Sequence, residues 1–378
     1  MTAFITGTGK TKFGVLSDSL PQLLQKAVDE CLENAGRTID DVDAVYLANF
    51  LGGPQESQLH LNALFSSVYG FEKPALRIET ACASGAVALN QGIAALQRFD
   101  RVLVVGVEKL SGTDSKTASS SIALAGSRAL DQQNGIIFPA AYALLTQQHF
   151  LRYGSSIDDL TLISLKNHSN ANHNPKAHFY SKHVTREMIE QSPLVATPLR
   201  LYDCSPISDG AAAVLLEKDA GRARARVRAS QLRTDTISLV ERGELTSLKA
   251  VRQAAAAAYA EAGITPREID VAEIHDCFTM AELIAYEDLG FAPAGEGKRL
   301  VRNHATELNG ELPVNTDGGL KADGHPIGAS GVAQAVELTL QLSGEAGKRQ
   351  VDGAKIGLCH NVGGIGGTAA IHVLEEVE

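Results

Sequence analysis

No tryptophan occurs in this chain of 378 residues, and aromatic residues as a whole make up only 5% of it. Core volume must therefore come from aliphatic side chains and from backbones that approach closely, which 35 glycines permit. Long apolar runs are missing as well. No stretch nears the roughly 20 apolar residues that cross a bilayer, so no membrane association is expected. Positive charge is in deficit, with 34 Lys and Arg against 44 Asp and Glu and a net charge of −10. That balance argues against general nucleic-acid binding, which needs basic surface to displace counterions. Five cysteines, Cys31, Cys82, Cys204, Cys277 and Cys359, are an odd and widely spaced set that supports neither a disulfide framework nor a zinc module. The stretch from Met1 to Gly9 lacks the basic start and apolar run of a signal peptide, and the closing Glu375-Glu376-Val377-Glu378 carries no Ser-Lys-Leu peroxisomal address. A cytoplasmic globular protein with free thiols is expected, and 44% hydrophobic content suffices for two or three packed units.

Gly7-Thr8-Gly9-Lys10-Thr11 imitates the end of a phosphate-binding loop, but Phe4 stands where that loop needs glycine. It reads as a turn after the first strand. A more informative pattern is internal repetition. Ala35-Gly36-Arg37-Thr38-Ile39-Asp40 recurs as Ala262-Gly263-Ile264-Thr265-Pro266-Arg267, an offset of 227. Each copy follows a helical pattern (Leu23–Asn34; Leu248–Glu261) and precedes a strand-like run (Ala44–Leu47; Val271–Ile274). Ser84-Gly85 matches Ser330-Gly331 at an offset of 246, and Asp209 to Val214 matches Gly366 to Ile371 at 157. The first copy thus carries about 89 extra residues, from Ser111 to Leu199, too long for a plain loop. Helices are predicted in it at Pro139–Tyr153 and Ile157–Ser169. Its histidines His168, His173 and His178 lack metal spacing and read as surface or hydrogen-bonding groups; no metal site is expected.

Four segments carry chemistry if they converge. Glu79-Thr80-Ala81-Cys82-Ala83-Ser84-Gly85 places Cys82 just before a helix, whose N–H groups favour a thiolate below the free-thiol pKa of about 8.5. Gly324-His325-Pro326 holds an imidazole on a loop stiffened by glycine and proline, a natural base for that thiol. His275-Asp276-Cys277-Phe278 follows a strand, where His275 could orient water or donate to an oxyanion and Cys277 could be a second acid/base thiol. Cys359-His360-Asn361-Val362-Gly363-Gly364 offers backbone N–H groups to a substrate oxygen.

These segments, in this order and over nearly the whole chain, resemble the thiolase superfamily. The resemblance implies an α/β thiolase fold: two duplicated βαβαβαββ halves in a five-layer α-β-α-β-α arrangement with an inserted loop domain. It places the N-terminal half at 1–110 and 200–219, the loop domain at 111–199 and the C-terminal half at 220–378. The His275-Asp276-Cys277-Phe278 loop is similar to that of sterol carrier protein type thiolases rather than the Asn-Glu-x-Phe of degradative ones. Asn361 also stands where their Cys-x-Gly requires glycine. Cys277 therefore takes the second-cysteine role ahead of Cys359, and His360 and Asn361 rank with Cys359. Implied catalytic residues are Cys82, His325, His275 and Cys277, with Gly363 and Gly364 supplying oxyanion N–H groups and Phe138 and Ser247 as weaker substrate contacts. Lys166, Lys176, Arg228 and Arg233 are weak guesses for the coenzyme A phosphates. The implied activity is reversible Claisen condensation and thiolysis of 3-ketoacyl-CoA through a cysteine acyl-enzyme. Coenzyme A thioesters are the expected substrates, with no tightly bound cofactor. A homodimer or homotetramer, with or without a small acyl-CoA-binding partner protein, is implied. The alternatives are a ketosynthase or C-acyltransferase on a non-CoA acceptor, a side-chain aldolase, which retention of Cys82 disfavours, and a scaffold subunit of a larger complex.

Overall fold

The computed structural model describes residues 3–377; Met1, Thr2 and Glu378, the outer ends of the first and last expected segments, lie outside the described residues. The first half runs β1 (Ala3–Lys10), α1 (Leu20–Ala35), β2 (Ala44–Ala48), α2 (Leu61–Tyr69), β3 (Ala75–Ile78), α3 (Ser84–Ala95) and β4 (Arg101–Glu108). The stretch that follows holds α4 (Phe138–Tyr153), α5 (Ile157–Ala171) and a short two-stranded ribbon, before β5 (Gly210–Glu217) returns to the sheet. The second half runs β6 (Ala225–Thr234), α6 (Lys249–Ala262), β7 (Val271–Ile274), α7 (Thr279–Asp288), α8 (Ile327–Leu342), β8 (Ile356–Gly363) and β9 (Thr368–Glu375).

The repeat has a physical basis in both copies. Gly36 and Gly263 end their helices at φ of 61° and 66°, a conformation only glycine adopts without strain. Thr38 with Asp41, and Thr265 with Glu268, then close the next turn by reciprocal side-chain to backbone hydrogen bonds. One difference separates the halves. The second-half counterpart of β3 shrinks to a single bridge between Ala272 and Val314.

Strand order across the described residues is β3-β2-β4-β5-β1-β6-β9-β8-β7, so the two half-sheets join edge to edge where β1 pairs antiparallel with β6. Helices α3 and α8 lie between the half-sheets, each touching strands of both, while α1 and α6 cover the outer faces. This is the expected five-layer stack. The two middle helices meet backbone to backbone: a Cβ on Gly85 would fall 2.9 Å from the Gly331 nitrogen, and one on Gly331 would fall 2.3 Å from the Ala86 nitrogen. The Ser-Gly repeat is thus the contact point of the duplication, and that contact brings the starts of α3 and α8 together. Leu89, Val104, Val214, Val332, Val336 and Leu338 fill the space around it.

The Gly7 to Thr11 motif needs correction. Gly7 and Gly9 lie inside β1, not in a turn, because α1 crosses directly above: a Cβ at Gly9 would sit 2.1 Å from the Ala27 carbonyl oxygen. The stretch between β4 and β5 leans on the second half. Tyr142 and Leu145 of α4 join the cluster containing Phe278 and Ile284, and Lys166 of α5 forms a 2.6 Å ion pair with Glu282. Asn170 and Asn174 donate to the carbonyls of Asn315 and Asp317. Residues 170–174, polar in sequence, therefore form an internal seam. His168, on α5, is also buried, packed against the Phe179 and Tyr202 rings, with neither ring nitrogen hydrogen-bonded, so the surface or hydrogen-bonding reading fails for it. His178 does bond the Ser208 hydroxyl, at 2.9 Å.

Candidate active site

Cys82 sits two residues before α3, and the chain reaches it through Ala81 at φ 53°, a left-handed conformation costly for a residue with a Cβ. Ser84 maintains that turn by accepting from the Thr80 N–H and donating to the Ala81 carbonyl. The thiol therefore projects from a tight corner into a cavity instead of running along the helix.

His325 arrives from the other half, on the loop before α8. Ser330 donates its hydroxyl proton to the Pro326 carbonyl, so its oxygen accepts from His325 Nδ1 at 2.7 Å. The proton is thereby fixed on Nδ1, and Nε2 keeps a free lone pair with no protein partner. His275 has the opposite tautomer. The Asn361 amide nitrogen faces its Nδ1 at 3.1 Å, which leaves the proton on Nε2, again without a protein partner. The sulfur of Cys82 and one nitrogen each of His275 and His325 lie within 4.8 Å of one another, and the two rings meet edge to face. A thiol, a base and a hydrogen-bond donor thus surround one point.

The loop after β7 is clamped by the residue between its two reactive groups. Asp276 accepts from the Leu320 and Lys321 N–H groups and from the Asn167 amide, while His360 Nδ1 accepts from the His275 N–H. Gly319 must be glycine, since a Cβ there would fall 2.5 Å from the Asp276 carboxylate. With Asp276 turned inward, Cys277 faces the cavity. That cavity, about 420 Å³, is lined by Cys82, Cys277, His325 and Gly364 together with Phe138, Ile122, Ser115, Ser119, Leu201 and Ile207. A larger groove, about 1060 Å³ between α5 and residues 299–311, has no cysteine in its wall.

Electrostatics correct one expectation. Burial pushes the Cys82 thiol up to about 12; Glu108 and Glu79 add to this, while the N–H groups of Gly364 and of Cys82 itself work against it. The helix start does not leave a thiolate at rest. Burial also takes His325 down to about 3. The resting pair is a neutral thiol beside a neutral imidazole. Cys277 is raised as well, first by burial and then by the neighbouring Cys82 charge, so the two sulfurs disfavour simultaneous ionisation.

The other candidates divide. Gly364, at φ 63°, points its N–H at Cys82, and Gly363 packs under the Thr80 carbonyl. His360 and Asn361 support His275. Cys359 is buried in the core cluster around α3 and α8, away from the cavity. Ser247 does not line the cavity either, because its hydroxyl donates to Asp288 beside the start of α6. Lys166 is buried against Glu282, Lys176 is paired with Glu30, and Arg228 is paired with Glu375, so none offers a free cation to a phosphate. Arg233 is engaged with Gln231 and the Leu232 carbonyl. Sequence reasoning gave no role to Ser330 or Asp276, although both stand inside the motifs it used.

Residues 2–220 match the model of the thiolase N-terminal domain, and residues 232–376 match that of the thiolase C-terminal domain. The chain belongs to the thiolase family. It is 44% identical to an acetyl-CoA acetyltransferase of Methanothermobacter thermautotrophicus, over 98% of both chains. It is 32% identical to human sterol carrier protein 2, over 97% of this chain and 71% of that one. In fold it is similar to the Ltp2-ChsH2(DUF35) aldolase, with a TM-score of 0.85, 23% identity and coverage of 98% and 97%. It is similar also to human mitochondrial 3-ketoacyl-CoA thiolase in complex with CoA, with a TM-score of 0.75, 17% identity and coverage of 100% and 98%. Among the described residues no helix is long and apolar enough to cross a membrane.

Proposed function

We propose that this thiolase is an acetyl-CoA C-acyltransferase that joins two acyl-CoA molecules, or cleaves a 3-ketoacyl-CoA with coenzyme A, through an acyl group carried on Cys82. The observation that carries the reading is the meeting of Cys82, His325 and His275 within 4.8 Å beside a cavity that also holds Cys277. The names of the archaeal relatives point the same way.

Because both partners are neutral at rest, deprotonation accompanies attack. His325 Nε2 takes the Cys82 proton as the sulfur adds to the thioester carbonyl, and the N–H groups of Cys82 and Gly364 receive the oxyanion. Cys277 gives its proton to the departing coenzyme A sulfur. The enzyme is then acylated, with imidazolium at 325 and thiolate at 277. Acylation has removed the charge that Cys82 could set against Cys277, so the second sulfur ionises only when it is needed. That thiolate takes the α-proton of the second acyl-CoA, and the enolate oxygen is held by protonated His325 and by the N–H at His275 Nε2. Attack on the Cys82 thioester releases the 3-ketoacyl-CoA, and His325 returns its proton to Cys82. Every proton is accounted for.

Residues 111–199 form the wall of the acyl and pantetheine site in this reading, through Ser115, Ser119, Phe138 and Val195. We place the protein in the cytoplasm as a homo-oligomer, with or without a small acyl-CoA-binding partner protein. Incubation with acetoacetyl-CoA and coenzyme A tests the reading: acetyl-CoA should form, and the mass of one acetyl group should appear on the Cys82 peptide. Absence of both, or a Cys82→Ser variant that turns over at the parent rate, overturns it.

A further inference from the structure

We infer that Lys10 is a positioning residue for the base: its buried ion pair with Asp323 fixes the loop that carries His325. The inference rests on the function proposed above and finds a use for Gly7 to Thr11, the stretch that only imitates a phosphate-binding loop.

Strand alternation sends Lys10 inward. Gly9 faces α1, so Lys10, the next residue of β1, leaves by the opposite face of the strand, toward the loop before α8. It is buried there, with Nζ 2.6 Å from the Asp323 carboxylate, 3.5 Å from that of Asp317 and 4.5 Å from the centre of the Phe13 ring. Glu337 of α8 lines a cavity together with Lys10 but is paired with Arg349 at 2.8 Å. Among the described residues, Lys10 is the one cation that forms an ion pair with either aspartate.

Asp323 stands two residues before His325. Its carboxylate takes Lys10 on one oxygen and the Asn174 amide, at 2.9 Å, on the other, and its carbonyl accepts from the His178 N–H at 2.8 Å. Strand β1 and the inserted stretch thus both hold this one residue. Gly324 follows at φ 118°, pressed between two neighbours: a Cβ there would fall 2.9 Å from the Ser208 hydroxyl oxygen and 3.1 Å from the Phe13 Cβ. The chain has no slack between Asp323 and the base. Among the described residues the His325 ring bonds only Ser330, so its place is set by two anchors, Ser330 through Nδ1 and Lys10 through the backbone. Stability explains the pair poorly, because apolar residues of similar volume are often as stable as a buried ion pair, whose best-attested use is to fix one geometry. A base has that need, since it must stay within about 0.5 Å of its productive position.

The test compares Lys10→Met with the double variant Lys10→Met/Asp323→Asn in the full chain. The single change leaves a buried carboxylate unpaired and should lower the unfolding temperature, whereas the double change removes both charges and should restore it. In the double variant, kcat for thiolysis and the rate of Cys82 acetylation should still fall about tenfold, with KM within about twofold, as a slightly misplaced base requires. Hydrogen exchange at the His325 ring N–H, followed by NMR with isotope-labelled histidine, reads the loop without turnover. It should quicken about tenfold in the double variant, through local opening. The ring N–H of His372, which is bonded to the Ala86 carbonyl, should keep its parent rate. Acetylation at the parent rate in the double variant, His325 exchange that does not change, or both histidines quickening together overturns the inference. If the parent protein itself acetylates no Cys82, the proposed function fails, while the exchange rates still decide whether Lys10 holds the loop.

Discussion

The ends of β2 and β7 occupy the same place in the two copies of the fold, yet one is all anchor and the other also presents the residues to which we assign chemistry. After β2, Asn49 caps the Gly52 N–H and donates to Glu108, and the buried Glu108 carboxylate gathers the N–H groups of Phe50, Leu51 and Gly328. After β7, the residue at the repeat offset from Asn49 is Asp276, which anchors its loop just as firmly. Its neighbours, however, are His275 and Cys277, both turned to the cavity side. The two copies thus share an anchor, and in the second copy the residues flanking it are the ones to which the proposed mechanism gives chemistry. The middle helices divide the work in the proposed mechanism too: the nucleophile Cys82 stands two residues before the Ser84-Gly85 pair of α3, and the base His325 five residues before the Ser330-Gly331 pair of α8.

The comparison breaks most visibly at Cys277. Cys277→Ala should lower condensation by about 10³-fold, in the range for loss of an acid/base group. Acetylation of Cys82 from a donor whose leaving group needs no proton should survive. Intact mass and a condensation assay read the two stages apart, and equal loss of both would remove the separate role of the β7 loop.

Labelling of Cys82 sharpens the picture of the resting pair. With the thiol raised to about 12 by burial, only the minor thiolate fraction reacts, so its alkylation rate should climb about tenfold per pH unit and still be rising at pH 9. A fast, flat profile from pH 6 upward would mean that an ion pair already exists.

Ser330→Ala should cost about tenfold in kcat, because His325 Nδ1 loses its partner and with it the fixed tautomer. KM should hardly change. Equal effects on both parameters would make Ser330 a packing residue.

Much of this was legible in sequence, for identifiable reasons. Repeated helix ends and turns show themselves through glycine and capping residues, so α1, α6, β2 and β7 fall within a few residues of expectation. The Cys82, His325 and Cys277 meeting follows once Gly85 and Gly331 are seen to be the same position in two copies. What stayed hidden depends on burial and on distant chain. Desolvation of Cys82 reverses the effect of its helix start, and Lys166 looks like a free cation until Glu282 is placed beside it. Gly7 and Gly9 read as a turn because the crossing helix that demands them lies 20 or so residues on.

At the anchor end, Asn49→Ala should destabilise the protein by about 2 kcal/mol, since it removes the donor to Glu108 and the Val107 carbonyl and the cap on Gly52. kcat of the folded enzyme should stay within about twofold. Thermal unfolding and kinetics measured on one preparation check both; a collapse of kcat without loss of stability would give the β2 end a share in the chemistry.

The smallest effect is expected at Cys359. It is on β8 one residue before His360, but its thiol is turned into the packing between α3 and α8, where burial and then Glu273 raise it well above the ordinary thiol range. Strand geometry separates it from the cavity, because neighbouring side chains on a strand leave opposite faces. Cys359→Ala should therefore cost about 1 kcal/mol of stability through the small void it leaves, with kcat for condensation and thiolysis within about twofold of the parent. A drop comparable to that of Cys277→Ala would show that the second sulfur of the reaction comes from β8, and the contrast between the two loop ends would have to be redrawn around that strand.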